Sequence, residues 1–350
     1  MGSLDFYRGK RVLVTGHTGF KGSYLTRILM LAGAEVTGYS LAPSEDRALF
    51  SMLGIEGEIK SVTADVRDYS RLLETVRESR PEIVFHLAAQ PLVRESYRIP
   101  RDTFEINIMG TVNLLEALRT EGSAVSVVNV TTDKVYQNME TERPYREDDP
   151  LDGFDPYSNS KSCSDLVTHS YRNAFFRELG TAVSTARAGN VIGGGDFAKD
   201  RIVPDCVRAC AKGEPVALRN PDSIRPFQHV LEPLAAYLLL AEKQYLDPSL
   251  EGAYNVGPEP SDAVTAGALA GMFVREWGGG ASCVYAPDKG PHEASLLMLD
   301  SSKIKEKTGW KPVWTIRDAV AKTVDWSKRV LGGESARTAT DRQIKEYFHV

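Results

Sequence analysis

The chain has 350 residues, 42% of them hydrophobic and 25% charged, the composition of an ordinary globular protein and not of a disordered, collagenous or coiled-coil one. At one domain per roughly 100–200 residues, this length predicts about two domains. With 42 Lys and Arg against 47 Asp and Glu, the net charge of −5 supplies no global positive field to hold DNA or RNA, so no nucleic acid polymer is expected as a partner.

The longest purely apolar stretch, 234–241, falls far short of the roughly 18–20 residues of a membrane-spanning helix. The opening MGSLDFYRGK carries no leader-type apolar region, and Phe6 stands where a myristoylation signal needs Ser or Thr. A cytoplasmic protein with no membrane partner is expected. Cys163, Cys206, Cys210 and Cys283 are too few for a disulfide framework, and none pairs as C-x-x-C. Neither they nor the six histidines cluster in a metal-type pattern, so no metal is expected, and Cys206 and Cys210, four apart, read as helix core.

In chain order, β-branched runs at 11–15, 35–40, 58–63, 83–87, 126–131 and 182–186 alternate with helix-sized segments. Strands apolar along their whole length and joined by such crossovers predict a parallel sheet covered on both faces, a doubly wound α/β domain of the Rossmann type over 1–190. Beyond it, the glycine run at 193–195 and later Pro and Gly clusters punctuate shorter elements, predicting a smaller α+β domain over 191–350. The boundary is not expected to be one clean cut: parts of 226–257 should return to the first domain, with 253–256 as an added strand. The polar stretch 332–350 is expected to be a tail docked on the second domain.

The first strand runs into Gly16-His17-Thr18-Gly19-Phe20-Lys21-Gly22 and then into the apolar helix 24–32. Glycines in a strand–turn–helix allow a tight bend and bring backbone N–H groups to a pyrophosphate at a helix N-terminus. Gly16, Thr18, Gly19, Phe20 and Gly22 are therefore the expected dinucleotide contacts. The end of the second strand, Tyr39-Ser40-Leu41 followed by Glu45, Asp46 and Arg47, does not choose between NAD and NADP.

Further on, Asp155-Pro156-Tyr157-Ser158-Asn159-Ser160-Lys161 puts Tyr157 and Lys161 on one face of a starting helix. An ammonium held beside a phenol stabilises the phenolate and lowers its pKa from near 10, so Tyr157 could deprotonate a hydroxyl while hydride leaves the same carbon. The segment Thr131-Thr132-Asp133-Lys134 follows directly on the fifth strand and should emerge at the carboxyl edge, where α/β sheets bind ligands.

With GHTGFKG, HLAAQ at 86–90, N-x-x-G-T at 107–111, TTDKVY and YSNSK in this order, the chain resembles, nearly end to end, the extended short-chain dehydrogenase/reductase family of nucleotide-sugar epimerases and dehydratases. Thr132-Asp133-Lys134 looks like the dehydratase triplet, with Lys where the dTDP-glucose branch carries Glu. That Lys is similar to the CDP-glucose branch, as are ARAGNVIGGGDF at 186–197, RPFQHVLEP at 225–233 and GPHE at 290–293.

The resemblance implies a catalytic set of Thr132, Asp133, Lys134, Tyr157 and Lys161. Tyr157 would take the proton of the sugar 4-hydroxyl as NAD accepts hydride from C4; Lys134 would remove the C5 proton while protonated Asp133 helps the C6 hydroxyl leave; hydride would then return to C6. Alternatively, Lys134 pairs with Asp133 and only positions substrate. Such a redox-neutral cycle implies retained NAD in preference to NADP. The resemblance further implies that Asp65 and Val66 meet the adenine, although Asp65 reads equally as a helix cap, and that Ala88 and Ala89 line the cofactor with Tyr157 and Lys161. It places Gln90, Arg187, Asn190, Arg201, Arg225 and His292 toward a nucleotide-sugar substrate, CDP-glucose favoured, on the way to deoxysugars such as those of lipopolysaccharide. A homodimer through helices at 107–118 and 157–176 is implied. A sugar-nucleotide epimerase and a non-catalytic dinucleotide-binding protein are the alternatives.

Overall fold

A computed structural model describes residues 4–43, 48–287 and 296–350. Its main sheet comprises β1 (Arg11–Thr15), β2 (Glu35–Ser40), β3 (Lys60–Thr63), β4 (Ile83–His86), β5 (Ser126–Val130), β6 (Ala182–Ala188) and β7 (Ala253–Val256). All are parallel, in the order β7-β6-β5-β4-β1-β2-β3. The doubly wound α/β fold read from the sequence is thus the fold observed, and the segment 253–256 does lie in the main sheet, beside β6. Strand order reverses between β1 and β4, so the loops leaving β1, β4 and β5 surround the crevice where open α/β sheets bind ligands.

The helices used below are α1 (Phe20–Leu31), α2 (Tyr69–Ser79), α3 (Gly110–Glu121), α4 (Pro156–Tyr171), α5 (Ile202–Lys212), α6 (Leu231–Leu246), α7 (Ala266–Trp277), α8 (Ile316–Leu331) and α9 (Ala336–Phe348). Because side chains alternate across a strand, Val12 and Val14 of β1 enter one core with Leu25 and Ile28 of α1 and Leu234 and Tyr237 of α6. Leu13 enters the opposite core with Leu72 of α2 and Leu114 of α3. A further core joins α5, α7 and α8 through Cys206, Cys210, Leu269, Phe273, Val320 and Val324, and the four cysteines are free thiols.

Two local readings change. The third strand begins at Lys60 because Glu56–Glu58 closes a 3₁₀ turn first. The C-terminal stretch is a helix and not a tail: α9 packs on α8, Trp326 Nε1 donating to the Thr340 hydroxyl at 3.0 Å and Gln343 to the Lys322 carbonyl at 2.8 Å, and also on α1, with Arg27 bidentate to Asp341 at 2.6 and 2.7 Å and Ala336, Ala339, Ile344 and Tyr347 in the β1–α1–α6 core. Its polar composition hid an apolar stripe at helical spacing.

Glu232, at the start of α6, ties this arrangement together by accepting from the Val313 and Trp314 N–H groups at 3.1 and 2.7 Å and from the Tyr347 hydroxyl at 2.7 Å. Burial outweighs these donors and pushes its carboxyl from 4.5 up to about 7. The folded state therefore holds the proton more tightly than the unfolded chain does. The stability contributed by this group is fully present below pH 4.5 and is lost as the pH rises through about 7. Glu232→Gln should flatten that part of the pH dependence of the unfolding midpoint, measured by scanning calorimetry across this window; an unchanged slope would contradict it.

Candidate active site

β1 delivers the chain into the glycine turn. Gly16 has φ +75°, and a Cβ there would meet the Ala88 backbone nitrogen at 2.7 Å. A Cβ on Gly22 would stand 2.0 Å from the Gly16 carbonyl oxygen, so turn, helix and the exit of β4 approach backbone to backbone. Gly19 caps α1 without a side-chain hydrogen bond, which leaves the first-turn N–H groups to an anion. The Thr18 hydroxyl pairs with the Ser40 hydroxyl at 2.8 Å and donates to the Leu41 carbonyl at 3.0 Å, fastening the turn to the end of β2. Phe20 packs edge-on against Tyr24. This cradle fits a dinucleotide pyrophosphate.

Around it, the Ala88 N–H donates to the Thr15 hydroxyl at 3.3 Å, and Ala88 and Ala89 are half-buried. Asp65 caps no helix: it accepts from the Arg67 N–H at 2.9 Å and its guanidinium at 2.7 Å, while Asp68 caps α2. Val66 is buried against Gly110. Glu45, Asp46, Arg47 and His292 with its GPHE element lie outside the described residues.

The catalytic cluster forms where β5 and α4 meet. Asp155 accepts from the N–H and hydroxyl of Ser158 at 2.9 and 2.6 Å, and Pro156 begins the helix, so α4 starts in register to aim Tyr157 and Lys161 at the exit of β5. Lys161 donates to the Val130 carbonyl at 2.9 Å, and burial lowers its ammonium to about 8. The Tyr157 phenol departs from the expected lowering: burial pushes it up to about 12, opposed by a hydrogen bond with Thr132 and by the Arg201 charge. Desolvation of the phenolate outweighs the nearby cations.

Asp133 is fully buried, and its Oδ1 accepts from Thr132 Oγ1 at 2.9 Å and from Lys134 Nζ at 2.9 Å. Lys134 also donates to Asn190 Oδ1 at 3.0 Å. Lys134 is thus held between Asp133 and Asn190, a geometry that either role read from the sequence, base or positioning group, can use. Asp133 Oδ2 has no hydrogen-bond partner and lies beside Gly189, where an added Cβ would come within 3.5 Å of it.

Two expected substrate contacts are corrected. Arg187 lies inside β6 and is buried, its Nε and Nη2 bidentate to Asp165 at 2.9 Å each and its Nη1 donating to the Tyr136 hydroxyl and the Glu147 carbonyl. Four of its five N–H donors are taken by the protein. Gln90 likewise shapes its own loop, donating to the Thr103 hydroxyl and Leu92 carbonyl and accepting from the Leu92 N–H at 2.6 Å. Arg201 pairs with Asp196 at 3.0 Å and reaches Tyr157 electrostatically, and Arg225 is buried with Nη1 on the Ile224 carbonyl. Asn107, which sequence reasoning gave no role, links the Gln90 backbone to Ser160 of α4; the N-x-x-G-T spacing was its only signal. Among the described residues no group of His, Cys, Asp and Glu could hold a metal ion, and no helix is long and apolar enough to cross a membrane.

A glycine turn at the edge where strand order reverses marks a dinucleotide-binding α/β protein, and the Tyr157–Lys161 pair beside the Thr-Asp-Lys triplet narrows the class to short-chain dehydrogenase/reductase enzymes of nucleotide sugars. Within that class, the chain belongs to the family described as GDP-mannose 4,6 dehydratase, which it matches over residues 13–323. It is 44% identical to the CDP-glucose 4,6-dehydratase of Salmonella typhimurium, over 98% of each chain. Identity to a dTDP-glucose 4,6-dehydratase of Xanthomonas campestris is 27%, over 90% of this chain and 92% of that one. Among solved structures, the Thermus thermophilus UDP-glucose 4-epimerase in complex with NAD superposes with a TM-score of 0.77 at 27% identity, covering 91% of this chain and 98% of the other.

Proposed function

We propose that this chain removes water from CDP-glucose in an NAD-dependent, redox-neutral reaction that yields CDP-4-keto-6-deoxyglucose. The observation that carries the reading is Asp133: a wholly buried carboxylate beside Tyr157, one oxygen held by Thr132 and Lys134 and the other uncommitted. Dehydration needs an acid at the leaving hydroxyl, and inversion of stereochemistry alone does not. The identity to the Salmonella enzyme supports CDP-glucose as the substrate.

NAD, when bound, supplies the acceptor and later the donor of hydride. Tyr157 takes the proton of the sugar 4-hydroxyl, with Arg201 and the Thr132 hydrogen bond offsetting part of the burial of its phenolate. Asp133 Oδ1 and Lys134 Nζ stand 2.9 Å apart. As carboxylic acid and amine, the pair accepts the C5 proton on Lys134 and delivers the Asp133 proton to the departing C6 hydroxyl. When hydride returns to C6, Lys134 gives its proton back to C5, and the proton that Tyr157 took from the 4-hydroxyl passes to Asp133, so each group is reset and no net proton is consumed. Asn190 holds the Lys134 nitrogen in place throughout.

Incubating the protein and NAD separately with CDP-, dTDP-, UDP- and GDP-sugars should show, by mass spectrometry, loss of one water from CDP-glucose alone. Unchanged mass with inverted stereochemistry by NMR would replace this reading with an epimerase. We also propose a homodimer through α3, α4 and their flanking turns, where Met109, Leu166 and Phe175 are exposed. Sizing chromatography should place the protein at twice its chain mass; a monomer would refute the dimer.

A further inference from the structure

Lys21 belongs to the glycine turn, yet its side chain has no part in the chemistry above. It is the second residue of α1, and its half-buried side chain runs toward the catalytic cluster. Its ammonium lies 3.4 Å from the Tyr237 hydroxyl of α6 and 5.8 Å from the centre of that ring. The charged groups within electrostatic reach are Arg201, ahead of α5, Lys161 on α4 and Lys134 after β5, all of which repel it, and Asp133, which attracts it. Tyr157 on α4 is the remaining ionisable neighbour, coupled to Tyr237 and Asp133. Asp133 is already paired with Lys134 at 2.9 Å, and among the described residues no carboxylate pairs with Lys21. A cation crowded by three others and withdrawn from water needs an anion, and the turn that carries it is where the backbone receives one.

We propose that Lys21 is a phosphate-binding residue whose ammonium pairs with the pyrophosphate of NAD, adding a charged contact to the neutral N–H contacts of the glycine turn. The proposal rests on the reading of that turn as the dinucleotide site. It assigns the extra grip that a cofactor retained through a redox-neutral cycle requires. It also makes binding proton-linked. Burial and the neighbouring cations hold Lys21 at about 7, so above that pH much of it is neutral, and pairing with a phosphate anion draws a proton onto its nitrogen from solution.

The test is isothermal titration of NAD into protein freed of co-purified dinucleotide, at about pH 8 in two buffers of different ionisation enthalpy, for wild type, Lys21→Met and Lys21→Arg. Methionine keeps the unbranched stem without the charge, and arginine keeps the charge without titrating. Wild type should take up protons on binding. Lys21→Met should bind at least about tenfold more weakly with no proton uptake and a shallower salt dependence, while Lys21→Arg recovers affinity without proton uptake. Adenosine, which lacks the pyrophosphate, should bind all three alike. Equal NAD affinity and equal proton uptake in a folded Lys21→Met protein would overturn the assignment. A parallel loss for adenosine would overturn it too, by showing that the turn itself is deformed. Wild type that binds adenosine and NAD equally, or neither, would instead overturn the dinucleotide reading of the turn, and the Lys21 assignment with it.

Discussion

An Asp133→Asn enzyme should dehydrate CDP-glucose about 10²–10⁴-fold more slowly, the range spanned by loss of a positioned proton donor. The side chains are nearly the same shape, so Asn can still accept at Oδ1 from Thr132 and Lys134, which now both approach Asp133 at 2.9 Å. What it lacks is a transferable proton at the position of Oδ2, the oxygen without a partner. The effect should therefore fall on turnover and leave NAD affinity, set at the glycine turn, within about twofold of wild type. The rate of water loss followed by mass spectrometry, together with NAD titration, separates the two. Full turnover in Asp133→Asn would remove the acid role and return the enzyme to the epimerase reading.

Arg187→Met should destabilise the fold by about 3–5 kcal/mol, measured by urea unfolding, because it strands a buried carboxylate. Both side chains of the Arg187–Asp165 pair are only 4% exposed. Asp165 also accepts from the Thr131 and Thr185 hydroxyls at 3.2 Å each, so the pair fastens α4 to β5 and β6 behind the Thr132-Asp133-Lys134 segment. Replacing both members, Arg187→Met with Asp165→Leu, should recover much of the loss by removing the stranded charge. A raised KM with unchanged stability in Arg187→Met would instead mean that the guanidinium grips substrate.

The alternation of β-branched runs with helix-length segments determined the doubly wound sheet, because strand and helix periodicities are local properties of the chain. The glycine spacing determined the turn after β1, and the four-residue spacing after Asp155-Pro156 put Tyr157 and Lys161 on one face of α4. Neither depends on distant residues. Partnership does, and only the tertiary structure decided it. Arg187 was expected at the nucleotide-sugar substrate, yet its place in β6 sets it against Asp165 of α4. Gln90 looked like a substrate contact and closes its own loop on Thr103. Residues 336–348 looked like a polar tail until the packing on α1 showed which of their faces is apolar. The neighbours of Lys134, Asp133 on one side and Asn190, 56 residues away, on the other, are likewise set by packing. A side chain's type and spacing state what it can bind; which partner occupies it is set by groups remote in sequence, whose positions follow from the packing of the whole chain.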